Sequence, residues 1–291
     1  MKKPRFAIIG ARKSPNTMDL VEEIKNKGLE CELMHQKEMV FEVANDGDFV
    51  VRHGGLDLDE FDIFIFRTYA KTLNDSLILA EKLVSDGKTV IDAALGKTFV
   101  LSKMFEASKM AQNGILYPQT VRCVNFEETG SRVENMPFPV IVKPVDGRQG
   151  QGVAKLDNFE ELSDFLTKEA GEWMIQEYVP ITYDIRVFVV GGKAIGAMKR
   201  YIAEGDFRSN IALGAKSEQV EMTQEQKDLA ERAADAMSYD IAGIDLIETN
   251  KGLMVLEANS GPQWQGFKKT TGINPAKKII EYVLEKYNSK N

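Results

Sequence analysis

Hydrophobic positions along this chain follow two rhythms. Phe6 to Gly10 is a short apolar run ending in glycine, and a polar loop from Ala11 to Thr17 follows it. Leu20, Val21 and Ile24 then recur at helical spacing up to a stop at Gly28, and Leu29 to Met34 return to strand-like alternation. The order repeats with a strand from Ile63 to Arg67, a helical pattern around Leu77 to Val84 closed by Gly87, and a strand from Thr89 to Ile91. Strands separated by helices predict a small parallel sheet with helices on its faces, here over residues 1–95.

Beyond that point the texture changes. Lys97 to Asn113 reads as a helix, with Val100, Met104, Ala107 and Ala111 on one face and Gly114 at its stop. Phe138 to Lys143 is a strand that leads into a glycine-rich loop, Asp146 to Gly152. A helix with Phe159, Leu162, Phe165 and Leu166 on one face and a strand from Trp173 to Tyr178 follow. Ile185 to Val190 and Lys193 to Arg200 form a hairpin across Gly191-Gly192. Thr223 and Gln226 make a capping box for a helix from about Gln224 to Met237. Two further strands, Ile241 to Ile247 and Leu253 to Glu257, meet at Asn250-Lys251-Gly252. Asn274-Pro275 opens a last helix, with Ile279, Ile280, Val283 and Leu284 inward. The predicted class is α/β, with α+β character after residue 95 and units at 96–180 and 181–291.

Composition narrows the partners. With 291 residues, 43% of them hydrophobic, the chain can bury one large core or several smaller ones. A net charge of −7 argues against direct nucleic-acid binding, which needs clustered Lys and Arg. The two cysteines, Cys31 and Cys123, show no metal spacing or disulfide framework. The apolar run after Lys3 is too short for a signal peptide, and no stretch approaches the roughly 20 residues of a membrane span. A cytoplasmic protein without membrane contact is expected. His35 and His53 have no companions that would suggest a triad.

The chemistry concentrates near the C-terminus. Glu257 and Asn259 are two apart on one strand and share a face; the neighbouring strand of the hairpin can bring Asp245 beside them. Two carboxylates and an amide oxygen make a hard donor set suited to Mg²⁺. Taken singly, an acid at a strand end is most often a solvated charge. Gly147, Gly150 and Gly152 let backbone N–H groups approach phosphates, but the loop is neither a Walker motif nor a dinucleotide fingerprint. Lys103 and Lys143 are candidate phosphate contacts. Arg208, Ser209 and Asn210, with Lys199 and Arg200 upstream, form a local basic patch suited to phosphate or an oxyanion. Gln176 to Val179 can present backbone groups to an adenine edge, and Asp184 can accept from ribose hydroxyls. Trp173 and Trp264 are of the type that packs; Trp264 follows the acidic strand closely and is expected to line the substrate pocket.

In this order, the pieces resemble the ATP-grasp superfamily and, within it, the RimK type that adds glutamate to a ribosomal protein's C-terminus. The matching stretches are VIVKPVDGRQGQGV (140–153), IQEYV (175–179), DIRVFVVG (184–191), EGDFRSN (204–210), AGIDLI (242–247), VLEAN (255–259) and KKTTGI (268–273). The resemblance implies a small N-terminal parallel-sheet domain followed by a two-lobed ATP-grasp fold. It implies ATP and two Mg²⁺ ions, with Mn²⁺ able to substitute, and the metal ligands Asp245, Glu257 and Asn259. Lys103, Lys143, Gly147, Gly150 and Gly152 would meet the phosphates. Glu177, Tyr178 and Val179 would border adenine, and Asp184 the ribose. Arg208, Ser209 and Asn210 would reach phosphate and substrate, with Arg200 or Arg208 stabilising the oxyanion.

The implied reaction passes the γ-phosphoryl group of ATP to a carboxylate, and an amine then attacks the acyl phosphate to form an amide. An amino acid such as glutamate and a carboxylate on a small molecule, peptide or protein C-terminus are the implied substrates, and a homo-oligomer is expected. The competing reading is a non-catalytic ATP-binding regulator on the same fold. Two departures stand out: the RimK type continues after its asparagine as Ala-Ser-Pro-Gly, whereas this chain reads Ser260-Gly261-Pro262-Gln263-Trp264-Gln265-Gly266, and the link from Tyr178 to Asp184 is shorter.

Overall fold

A computed structural model of the chain describes residues 3–10, 13–43, 45, 48–67, 69, 71–97, 99–100, 102–123, 130, 132–145, 152–169, 171–202 and 216–290. The N-terminal part runs β1 (Arg5–Ile9), α1 (Pro15–Asn26), β2 (Glu30–Met34), β3 (Met39–Val43), β4 (Phe49–His53), β5 (Leu56–Asp57), β6 (Ile63–Phe66), α2 (Leu73–Ser85) and β7 (Thr89–Ile91). Strands β2-β1-β6-β7 form an all-parallel sheet in that order. Covered on both faces, such a sheet needs unbroken apolar strands. Phe6, Ala7, Ile8 and Ile9 are accordingly at most 1% exposed. Ser14 caps α1 by accepting from the Thr17 N–H, and Gly28, at a φ of +66°, closes it.

The antiparallel meander β3-β4-β5 has no counterpart in the pattern described above. Its signal was present. Gly54 and Gly55 take φ values of +56° and +83°, the turn that a two-residue hairpin between His53 and Leu56 requires.

α3 (Lys103–Gln112) begins at Lys103 rather than Lys97, because Ser102 caps it through the Met104 N–H at 3.2 Å. Val100 lies outside the helix and is 44% exposed; the buried face is Glu106, Ala107 and Met110. Next come β8 (Thr120–Cys123), β9 (Val140–Pro144), β10 (Ala154–Leu156), α4 (Phe159–Lys168) and β11 (Trp173–Glu177). Their antiparallel sheet, β10-β9-β11-β8, has its own core around Val133, Val140, Val142, Leu162 and Ile175.

The last part comprises β12 (Tyr183–Val190), β13 (Lys193–Tyr201), β14 (Ser217–Val220), α5 (Gln224–Ala236), β15 (Ile241–Thr249), β16 (Gly252–Asn259), α6 (Gln265–Thr271) and α7 (Pro275–Lys290). Its five strands pair in the order β14-β13-β12-β15-β16. The capping box of α5 forms, with the Gln226 N–H reaching Thr223 at 3.2 Å and the Thr223 N–H reaching Gln226 at 3.0 Å. Val187, Val189, Ala242, Ile244 and Leu246 point to α5. Phe188, Val190, Met198 and Ile241, on the other face, join α7, α1 and the parallel sheet in one shared core. A boundary at residue 95 therefore separates elements but not cores.

A polar clasp seals that junction. Asp92, after β7, accepts the N–H groups of Asp240 at 2.5 Å and Ile241 at 3.0 Å. Asp240 in turn accepts from the Ala93 N–H at 2.7 Å, from Lys286 at 2.7 Å and from the Tyr282 hydroxyl. Among the described residues, no helix is long and apolar enough to cross a membrane.

Candidate active site

One end of the five-stranded sheet carries charge where the rest carries aliphatics. Asp184 and Arg186 are two apart on β12 and share a face. The register sets Asp184 opposite Arg200 on β13, Arg186 opposite Asp245 on β15, and Asp245 opposite Glu257 on β16. The last pairing depends on a bulge. Leu246 faces Val255, so Leu256 is an extra residue on β16. In an unbroken ladder Leu256 would face Asp245, and Glu257 would point to the opposite side. The bulge brings Glu257 into phase with Asp245, and Asn259 follows opposite Gly243.

Every acid in this row is held by a cation. Arg186 grips Asp245 through Nε and through Nη2, the latter at 2.7 Å. Arg200 donates Nε to Asp184 at 2.7 Å and Nη2 at 2.5 Å, and its Nη2 lies 2.8 Å from Asp245 Oδ1. Lys103, at the start of α3, donates to Glu257 Oε1 at 3.0 Å. Lys143, on β9 of the neighbouring sheet, donates to Gln176 at 2.8 Å. Burial by itself would raise the Glu257 carboxyl, but Lys103 and Lys143 pull it down to about 2. The Glu257 side chain is 40% open, so solvent screens part of that pull. Lys143 moves the other way, lowered to about 8 by burial and then by its neighbour Lys103. Burial opposes the charge on Arg200, yet Asp245 and Asp184 raise its pKa above the usual value.

The donor set suits a hard cation. Asp245 and Glu257 are adjacent across a strand pair, Asn259 adds an amide oxygen one pleat further, and the Glu257 oxygens reach open space. Both carboxylates are neutralised by Arg or Lys side chains. A third acidic, histidine or cysteine ligand is not gathered here among the described residues.

Asp184, expected beside a ribose, has no exposed surface, and both its oxygens accept from Arg200. Its place is behind Arg200, orienting the guanidinium. The Glu177 carboxylate accepts from the Gln119 N–H at 3.3 Å and from Lys251 at 3.3 Å, and Lys155 sits 4.5 Å over the Tyr178 ring. Tyr178 lines a cleft of about 360 Å³ together with Pro180, Ile181, Thr182, Tyr183 and Glu248; Val179 beside it is half-buried. Gly152 follows the glycine-rich loop at a φ of +69°, next to the antiparallel pair β9–β10 that frames it. Gly147, Gly150, Arg208, Ser209 and Asn210 lie outside the described residues.

Trp264 does not line a pocket. It is fully buried, edge-on to Phe188 and beneath Arg67, whose guanidinium lies 4.4 Å from the ring. The unusual run after Asn259 docks on the N-terminal part. Ser260 bonds the Tyr69 hydroxyl at 2.6 Å, the Pro262 carbonyl accepts from Arg67 at 3.0 Å, and Gln263 bonds Asn16. Asp19 collects Trp264, Gln265 and Lys268 at 2.8 to 2.9 Å. Arg186 and Glu106 were missed by sequence reasoning. For Arg186 a signal existed, namely a cation two residues from Asp184 in an otherwise apolar strand.

Residues 102–283 match the RimK-like ATP-grasp domain. The chain is 32% identical over 277 residues to a probable alpha-L-glutamate ligase of Picosynechococcus, covering 93% of this chain and 91% of that one. It is 30% identical over 270 residues to a protein of the same description from Legionella pneumophila, covering 91% and 89%. Among solved structures, the ATP-grasp ligase PsnB complexed with a minimal precursor, Mg and ADP superposes with a TM-score of 0.75 at 18% identity, over 99% of both chains. The family match and the identity along nearly the whole length agree with the register of the charged row: this chain belongs to the RimK-like ATP-grasp family.

Proposed function

We propose that this ligase forms a carbon–nitrogen bond by activating a carboxylate with ATP and joining it to an amino acid, glutamate first among candidates. The observation that carries the reading is the row Arg200, Arg186, Asp245 and Glu257, faced by Lys103 from α3 and Lys143 from β9 of the neighbouring sheet. Such a row separates charge into donors for metal and donors for phosphate within one cleft. Lys103 and Lys143 would hold phosphate oxygens; Arg200, oriented by Asp184, would face the transferring phosphoryl group and then the oxyanion. Asp245, Glu257 and Asn259 would hold Mg²⁺, which when bound neutralises charge on the phosphates. Transfer of the γ-phosphoryl group to the acceptor carboxylate yields ADP and an acyl phosphate. Attack by the amine at the carbonyl carbon then expels phosphate and leaves an amide. The glycine-rich loop between β9 and β10 would exclude water, which otherwise hydrolyses the acyl phosphate.

The glutamate preference rests on the relatives described as alpha-L-glutamate ligases. PsnB is also described in complex with a precursor peptide, which makes a peptide carboxylate the first acceptor to try. The deciding experiment incubates the protein with ATP, Mg²⁺, each amino acid in turn and a peptide set, read by mass spectrometry. Glutamate-dependent release of ADP and phosphate, with a glutamyl mass added to a peptide, supports the proposal. ATP bound without turnover across the whole set would instead favour a non-catalytic regulator.

A further inference from the structure

One buried acid beside the site has no part in the roles above. Glu106 lies on α3, one helical turn beyond Lys103, and is 6% exposed. Its Oε1 accepts the Ala258 N–H at 2.7 Å and the Tyr117 hydroxyl at 3.4 Å. β16 is an edge strand, so one row of its N–H groups has no strand to pair with. Glu106 satisfies that row at Ala258, the residue between Glu257 and Asn259. The bond secures the Glu257–Ala258 peptide unit, from whose first Cα the Glu257 side chain projects; Asn259 follows one residue on.

We propose that Glu106 is a positioning residue: by accepting the Ala258 N–H it sets the strand end that carries Glu257 and Asn259. The claim rests on Glu257 and Asn259 holding the metal. It assigns Glu106 no contact with substrate. Its chemical requirement is a hydrogen-bond acceptor, not a negative charge. In keeping with this, burial and then the Glu257 charge push the Glu106 carboxyl up to about 8, so that near neutral pH a glutamine resembles the group present.

The test compares Glu106→Gln with Glu106→Met, two side chains of similar length that differ in the ability to accept a hydrogen bond. Calorimetry reads AMP-PNP binding as Mg²⁺ is varied, and steady-state assays separate kcat from the KM of the amino acid. Glu106→Met is expected to raise the Mg²⁺ needed for half-saturation by about 10- to 100-fold, as loss of a group that orients metal ligands does. The amino-acid KM should stay within about twofold, and Glu106→Gln should stay within about threefold of wild type throughout. Glu106→Met with wild-type Mg²⁺ dependence overturns the proposal. So does Glu106→Gln impaired as badly as Glu106→Met, which would place the effect in the charge. Should Glu106→Met not fold, Tyr117→Phe removes the hydroxyl that donates to Glu106. It is expected to raise the Mg²⁺ half-saturation by about two- to fivefold, and an unchanged value overturns the proposal. Glu257→Ala, run alongside, tells the two readings apart: Mg²⁺ dependence that survives there removes the metal assignment itself.

Discussion

β15 carries one acid cluster at its start and another at its centre, and the two are built differently. At its start, Asp92 and Asp240 are satisfied by backbone N–H groups, by Tyr282 and by Lys286, in contacts that join the parallel sheet to the antiparallel one. Burial, and next the charge of Asp240, push the Asp92 carboxyl well up despite its two backbone donors. Further along, Asp245 and Glu257 are held by the tips of Arg186, Arg200 and Lys103. Backbone donors cannot leave without unfolding, whereas long cationic side chains can swing to a phosphate. The first cluster therefore fastens the fold, and the second can exchange its partners for ligands.

Substitution in each cluster should break that contrast if it is wrong. Glu257→Ala is expected to lower turnover by about 10³-fold or more, since it removes a proposed metal donor, with little change in Tm. Asp240→Ala should do the reverse. It leaves the Ala93 N–H, the Tyr282 hydroxyl and the half-buried Lys286 without their acceptor and should cost about 2–4 kcal/mol in denaturant unfolding, while the folded fraction keeps its KM for ATP. A stable Asp240→Ala, or an unfolded Glu257→Ala, would collapse the distinction.

Exchange of partners can be tested directly. With Lys103, Arg186 and Arg200 occupying the carboxylates, Mg²⁺ alone should bind weakly. AMP-PNP, by drawing the cations away, should tighten it by about tenfold or more, a coupling of about 1.4 kcal/mol. Equal Mg²⁺ affinity with and without nucleotide, measured by calorimetry, would show that the salt bridges do not gate the site.

Acid–base linkage sharpens the picture further. Glu106 sits at about 8 in the folded protein against an ordinary 4.5, so the native state holds an extra proton between these values. Its contribution therefore favours stability at the acid end and is lost as pH rises from about 4.5 through 8. Glu106→Gln should flatten that slope in urea titrations run across the window. The smallest expected effect is Thr223→Ala, which removes the α5 cap remote from both clusters. It should cost about 1 kcal/mol and leave Mg²⁺ dependence unchanged.

Much of the architecture was legible from periodicity and punctuation. The βαβ order, the Gly191-Gly192 hairpin, the Thr223 capping box and the Asn274-Pro275 helix start are local signals, and local chemistry decides them. The meander at residues 39–57 was legible too, through Gly54-Gly55, but its short strands lack a long apolar run. The start of α3 was misjudged because Val100 fits the helical period, while the Ser102 cap that ends the alternative is a single hydrogen bond.

The sequence by itself determined that Glu257 and Asn259 share one face, because strand alternation requires it, and it carried the family resemblance. Only the tertiary structure decided which charges meet. Asp184 turned out to be a support for Arg200, and Trp264 a buried strut under Arg67; Arg186 entered the row, and Glu106 came to bond Ala258 from 152 residues away. Those outcomes depend on register, on a one-residue bulge at Leu256 and on the packing of α3 against an open strand edge. Each is set by contacts between segments distant in sequence; for Arg186 alone a local sign existed, its place two residues from Asp184 in an apolar strand.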